Sequence, residues 1–270
     1  MSTTPEVVNH MNPEHSDFTG RVAIVTGGGT GIGLATARQL ARRGAAVVIA
    51  RRTADELERA AARVREESGA RCLAVPTDVK DEEQVTRLVQ RTLDEFGRID
   101  ILVNNAGGSR LGPLAGLGSR AWDASFDLNV RAAYLCTHAV GPHMIAQRSG
   151  AIVNISSNAG MSGVKGGAHY SAAKAALQMF TTVTAAEWGP HGIRANCVAA
   201  GMIASERAAA AWEVAKLDMS NLAMIPLRRP GTPDEVANMI VFFASDAASY
   251  ITGQTVAVNG GPSMSGIPDE

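Results

Sequence analysis

Short runs of Val, Ile, Ala and Leu alternate along this chain with longer segments whose apolar residues recur at helical spacing. Arg21–Thr26 (RVAIVT) predicts a first strand, and Gly31–Arg43 a helix that stops at Gly44. Ala46–Ala50 (AVVIA) predicts a second strand, followed by a charged helix over Asp55–Glu67. Further strands are expected at Cys72–Pro76, Ile101–Asn104, Ala151–Ser156, Ile193–Val198 and Thr255–Asn259, with helical patterns between them. Because the strand runs are unbroken rather than alternating, they suit burial on both faces. Strand–helix alternation with buried strands predicts an α/β fold, a doubly wound parallel sheet with helices on both faces. In that architecture ligands bind beyond the carboxyl ends of the strands.

The segment at the first such end is Thr26-Gly27-Gly28-Gly29-Thr30-Gly31-Ile32-Gly33. Glycines there permit a tight turn and let backbone N–H groups approach a pyrophosphate at the positive end of the next helix. The spacing departs from strict G-x-G-x-x-G, since Leu34 follows Gly33, and no Lys-Ser/Thr pair marks a nucleotide-hydrolysing loop. The second strand ends in Arg51-Arg52, with no acid until Asp55. An acid at this place holds the ribose 2′-hydroxyl of NAD, whereas arginine pairs with the 2′-phosphate of NADP. Arg51 and Arg52 therefore favour NADP(H) over NAD(H), although solvated arginines opening a loop would read the same way. Farther on, Tyr170 and Lys174 stand four apart, on one helix face. A phenol titrates near ~10, and a neighbouring ammonium favours its ionised form, moving it toward acid/base work at neutral pH.

With these motifs in this order, the chain resembles the short-chain dehydrogenase/reductase family, in its common single-domain form, over Phe18–Gly261. The resemblance rests on Thr26–Gly33 as TGxxxGxG, Asp78-Val79, Asn104-Asn105-Ala106-Gly107, Asn129 in Asp127-Leu128-Asn129-Val130, and Ser156-Ser157. Tyr170 and Lys174 follow Ser157 by thirteen and seventeen residues. The resemblance implies a single-domain Rossmann fold over residues 18–262, between tails at 1–17 and 263–270. It implies an oxidoreductase that moves a hydride between a nicotinamide and a carbonyl or secondary alcohol. Tyr170 would be the general acid/base and Ser157 a donor to the substrate oxygen. Lys174 would hold the nicotinamide ribose and lower the Tyr170 pKa, and Asn129 would help position a proton-relaying water. Gly27, Gly29, Thr30, Gly31 and Ile32 would bind the cofactor, with Asp78 and Val79 at the adenine and Asn105, Ala106 and Gly107 along the ribose. Taken singly, each has a plainer reading: Asp78 as a cap of the Asp81–Phe96 helix, Asn104 and Asn105 as turn residues, Ser157 as a strand end.

Two departures from the family pattern qualify this. Many relatives carry Pro-Gly after the sixth strand, where this chain has Ala200-Gly201; Gly201, Ile203 and Ser205 still match the cofactor-facing segment, but loss of proline is expected to loosen that loop. Many NADP-dependent relatives have a basic residue before Gly31, where Thr30 stands here, which leaves NAD(H) open. A substrate-covering loop is expected over 202–222, with other pocket walls at Gly108–Leu114 and Asn158–Ala168.

Composition narrows the partners. Net charge is −1 with no clustered basic stripe, which argues against nucleic acid or a membrane surface as partner. No apolar run reaches the ~20 residues of a spanning helix. Cys72, Cys136 and Cys197 are odd in number and lie in apolar runs, which predicts buried free thiols and a cytoplasmic setting. No Cys/His spacing suggests a metal site. The apolar stretch in 202–222 predicts a lipophilic carbonyl or alcohol substrate. The alternatives are a 3-oxoacyl thioester reductase (on acyl carrier protein or CoA), for which Arg228 and Arg229 are the nearest basic candidates, and a dinucleotide sensor without turnover. Small residues on the Tyr170 helix (Ala168, Ala172, Ala175, Ala176), with Met179, suggest a homo-oligomer, by family analogy a tetramer.

Overall fold

The computed structural model describes residues 17–214, 222 and 225–261. The tails expected at 1–17 and 263–270 therefore lie outside the described residues, apart from Asp17. So does most of 215–224.

Seven strands form one sheet: β1 (Val22–Thr26), β2 (Ala46–Arg51), β3 (Cys72–Pro76), β4 (Ile101–Asn104), β5 (Gly150–Ser157), β6 (Ile193–Ala200) and β7 (Thr255–Val258). Their order is β3-β2-β1-β4-β5-β6-β7, every pair parallel. This is the Rossmann arrangement. Successive residues of one strand serve opposite cores, which explains the unbroken apolar runs. On β1, Ala23 and Val25 join one cluster while Ile24 joins the other; on β2, Val47 and Ile49 part from Val48 and Ala50 in the same way.

The first cluster is closed by α1 (Gly31–Arg42), α2 (Ala54–Ser68) and α9 (Pro233–Ala244), through side chains such as Leu40, Leu57 and Ile240. The second is closed chiefly by α3 (Glu82–Phe96) and α5 (Ala132–Gln147), through Leu88, Leu135 and Met144. Beside them α7 (Ala168–Trp188) packs on β5 and β6. The remaining helices, α4 (Ser119–Phe126), α6 (Ala159–Ser162) and α8 (Glu206–Val214), belong to segments beyond the carboxyl ends of strands. Chain direction reverses its march across the sheet between β1 and β4, so the loops after these two strands part to opposite sides and leave a crevice.

Expected boundaries agree within a residue or two, and the largest difference is β6. It runs on to Ala200, which is registered between Ser157 of β5 and Val258 of β7 and accepts a hydrogen bond from the Asn158 N–H. Ala200, where many relatives have proline, is thus the last residue of a paired strand and not part of the loop after it. Cys72, Cys136 and Cys197 are free and buried, and burial pushes the thiols of Cys72 and Cys136 up to about 12. Among the described residues, no helix is long and apolar enough to cross a membrane, and no cluster of His, Cys, Asp and Glu could hold a metal.

Candidate active site

The turn after β1 is close-fitting. A Cβ on Gly33 would stand 2.4 Å from the Gly27 carbonyl oxygen, and one on Gly28 would stand 2.7 Å from Ile49. Gly27 and Gly31 have φ of +64° and +54°, which favours glycine. The N-cap of α1, Thr30, makes no side-chain cap, so the first-turn N–H groups are left to a ligand. A glycine cradle opening onto such a helix end fits a pyrophosphate.

Asn105 holds this turn to β4. Its amide donates to the carbonyls of Thr26 (2.9 Å) and Gly27 (3.3 Å), while the Thr26 hydroxyl accepts from the backbone N–H of Asn105 and Ala106. Asn104 points the other way, its amide donating to Thr137 and to Asn154 of β5. The two asparagines are thus more than turn formers: they join adjacent strands at the crevice. Asp78 does not cap the helix that follows it; Asp81 does, accepting from the N–H of Glu83 and Gln84. Asp78 instead stays half-buried after β3 beside buried Val79. On the far rim, Ser205 lies against Gly31, and its hydroxyl accepts from the Ala208 N–H at the start of α8. Ile203 is buried and bridges to Gly231, and Gly201 is hemmed in by Asn259. Sequence-expected positions from Gly27 to Ser205 thus fall after β1, β3, β4 and β6, on the edge of the sheet where the crevice opens.

At its center lie Ser157, Tyr170 and Lys174. Ser157 ends β5, and its hydroxyl accepts from the Ala159 N–H. The short α6 then presses against α7 so tightly that a Cβ on Gly160 would stand 2.7 Å from the Lys174 carbonyl carbon. Ser156 of β5 is tied to α7 in turn, its hydroxyl donating to the Lys174 carbonyl. These contacts fix Ser157 relative to the Tyr170–Lys174 face. Lys174 is only 3% exposed, and its ammonium donates to the Ile155 carbonyl at 2.7 Å and lies 5.8 Å from the center of the Tyr170 ring. Burial lowers its pKa from 10.5 to about 8.

Asn129 sits in a π-helical turn, Asp127–Arg131, between α4 and α5. Its amide is fully engaged: it accepts from the Gly108 N–H and donates to the carbonyls of Gly108 and Ser125. A Cβ on Gly107 would stand 2.8 Å from the Asn129 carbonyl oxygen and 3.0 Å from the Lys174 nitrogen, so both groups converge on that glycine. The side chain of Asn129 thus positions the loop over Lys174.

The spacing of motifs did not reveal His169, buried beside Tyr170. Its Nε2 lies 2.8 Å from the Ser109 hydroxyl and 3.1 Å from the Arg110 carbonyl. It fastens the 108–112 loop to α7, and the Gly112 N–H reinforces the closure by donating to the Gly166 carbonyl. Glu56 was also passed over; it pairs with Arg51 at 2.7 Å. Arg52 is exposed.

A family model described as enoyl-(acyl carrier protein) reductase matches residues 27–263. A 3-oxoacyl-[acyl-carrier-protein] reductase of Synechocystis sp. is 44% identical over 251 residues, 92% of this chain and 98% of that protein. The crystal structure of L-sorbose reductase from Gluconobacter frateurii, complexed with NADPH and L-sorbose, superposes with a TM-score of 0.87 at 33% identity, covering 92% of this chain and 98% of that one. A 7α-hydroxysteroid dehydrogenase complexed with NADH and 7-oxo glycochenodeoxycholic acid also gives 0.87, at 30% identity, covering 93% and 97%. The chain belongs to the short-chain dehydrogenase/reductase family. It is an NAD(P)-dependent oxidoreductase acting on alcohol and carbonyl groups.

The low pKa of Lys174 has a consequence for stability. The folded protein holds that proton less tightly than the unfolded chain, so folding is least favored below about pH 8 and gains stability as pH rises toward 10.5. The difference corresponds to about 3 kcal/mol. Denaturant titration should therefore show wild type gaining up to about 3 kcal/mol on Lys174→Met between pH 7 and pH 10.5, because the variant has no such proton to release; a difference between the two that does not change over that interval would contradict the account.

Proposed function

We propose that this enzyme interconverts a ketone and a secondary alcohol on a lipophilic small molecule, with NADP(H) as preferred cofactor. The observation that carries the reading is the convergence of Ser157, Tyr170 and the buried Lys174 ammonium where β5 and α7 meet the crevice. The bound nicotinamide supplies or accepts the hydride. Tyr170 gives its phenolic proton to the substrate oxygen on reduction and takes it back on oxidation. Ser157 donates to the same oxygen and stabilises the charge growing there. Lys174 holds the nicotinamide ribose and draws the phenol toward ionisation, and Asn129 keeps the 107–108 backbone over it. Asp78, Val79, Asn105, Ala106 and Gly107 line the adenosine and ribose side, with Gly27, Gly29, Thr30, Gly31 and Ile32 at the pyrophosphate. Gly201, Ile203 and Ser205 close the nicotinamide end. The preference for NADP(H) rests on Arg51 and Arg52 at the end of β2.

The lipophilic substrate is supported by the loops bordering the crevice. Leu111, Leu114, Met161 and Val164 are 58%, 67%, 53% and 42% exposed on two segments joined by the Gly112–Gly166 bond. The segment 202–222 would cover this lip; its described part contains α8, while 215–221 lies outside the described residues. A second reading, reduction of a 3-oxoacyl thioester, is favored by the similarity to the Synechocystis reductase and by Arg110 and Lys165, exposed on the same lip. Arg229 contributes less to an acidic carrier's docking, because Glu235 takes its guanidinium with both oxygens at 2.9 and 2.6 Å.

Nicotinamide absorbance followed over alicyclic and steroidal ketones and over 3-oxoacyl thioesters, with NADPH and with NADH, tests both readings. Tyr170→Phe should bind cofactor normally and lose turnover by a factor of about 10² or more. Near-normal kcat in that variant would refute the assigned acid/base.

Assembly as a homo-oligomer, by family analogy a tetramer, is supported by α5 and α7, whose outer faces carry Tyr134, Met179 and Val183, 47%, 63% and 46% exposed. Small Ala175 stands one turn before Met179 on the same face of α7, with Ala176 next to it, and allows another helix to approach. Light scattering should give a multiple of the 28.1 kDa chain mass, and a monomer at micromolar concentration would refute this assembly. The buried free thiols fit a reducing compartment such as the cytoplasm.

A further inference from the structure

Reading the end of β2 as a receiver of phosphate leaves a carboxylate unexplained. Glu56 lies in the first turn of α2, three residues after Thr53, the N-cap. At that position a glutamate ordinarily reaches back to the N-cap backbone, as Glu235 does to Thr232 at the start of α9. Glu56 instead reaches Arg51, the last residue of β2, with Oε2 2.7 Å from Nη2. Arg51 in turn lies along the glycine turn: its Cδ is 3.0 Å, and its Nη1 3.5 Å, from where a Cβ on Gly29 would stand. The pair is partly open to solvent, with side-chain exposures of 32% for Arg51 and 45% for Glu56. An acid and a base are thus coupled at the place where one cofactor presents a hydroxyl and the other a phosphate.

We propose that Glu56 is a specificity-determining residue, competing with the 2′-phosphate of NADP(H) for the Arg51 guanidinium and so narrowing the enzyme's preference for NADP(H) over NAD(H). The proposal rests on the assignment of Arg51 to the 2′ position made above. A phosphomonoester takes an arginine most strongly through two parallel bonds. Glu56 occupies one edge of that fork, so the phosphate must either displace the carboxylate or lie beside it. Displacing a partly exposed ion pair weakens binding by up to about fivefold, and like-charge repulsion adds to this if the carboxylate stays. The uncharged 2′-hydroxyl of NAD(H) meets no such opposition and finds in Glu56 an acceptor.

The adenosine ends of the two cofactors isolate this effect from turnover. Calorimetry would compare 2′,5′-ADP with 5′-AMP on the wild-type protein, Glu56→Gln and Arg51→Ala, with thermal melts to confirm folding. Glu56→Gln keeps the size of the side chain and removes its charge. It should tighten 2′,5′-ADP five- to tenfold and leave 5′-AMP unchanged or weaker, whereas Arg51→Ala should weaken 2′,5′-ADP. Unchanged or weaker 2′,5′-ADP binding in Glu56→Gln, with Arg51→Ala still impaired, overturns the competition and leaves Glu56 as a support for Arg51. If Arg51→Ala binds 2′,5′-ADP as well as wild type does, the assignment of Arg51 fails and the proposal with it. Failure of wild type to bind either fragment or either whole cofactor overturns the dinucleotide reading itself.

Discussion

A buried ammonium is the constraint around which this site is arranged. Lys174 is withdrawn from water, and burial alone drives its pKa down by stabilizing the neutral form. One bond, to the Ile155 carbonyl, offsets part of that cost. The rest is borne by the fold, whose α7 is held to β5 by Ser156 and by the ladder Asn104–Asn154–Thr181, and to α6 by the close contact at Gly160. A core this heavily tied can keep a charge where it weakens stability, and such placements mark groups kept for chemistry.

The two ends of the crevice differ in kind. Around the glycine turn, contacts are backbone to backbone or through Thr26 and Asn105, and they leave little room for variation. At the substrate end the walls are loops carrying exposed apolar side chains, fastened by the His169 contacts and the Gly112–Gly166 bond. Two solved relatives of this architecture are complexed with L-sorbose in one case and with 7-oxo glycochenodeoxycholic acid in the other, so one fold carries different ligands.

The sheet was legible because burial on both faces writes itself as continuous apolar runs, and the ends of β1, β3, β4 and β5 at the ligand edge carried a recognizable motif. The end of β6 was set two residues short because the pairing that holds Ala200 comes from β5 and β7, distant in sequence. His169 escaped notice for the same reason: its partners are some sixty residues away, on a loop with no periodicity. Glu56 was hidden differently. It stands within the charged face expected of an exposed helix, and only the direction of its side chain, back toward Arg51, distinguishes it from its neighbors.

The central claim is that Lys174 makes Tyr170 a competent acid/base, and the chain's three tyrosines allow a direct test. An ultraviolet titration of phenol ionisation, taken as the difference between wild type and Tyr170→Phe, isolates the one in the site. The account predicts a step well below the ordinary phenol value of about 10 that is absent from Tyr170→Phe and moves up in Lys174→Met. No such step in the wild type, or one that Lys174→Met leaves in place, would contradict it.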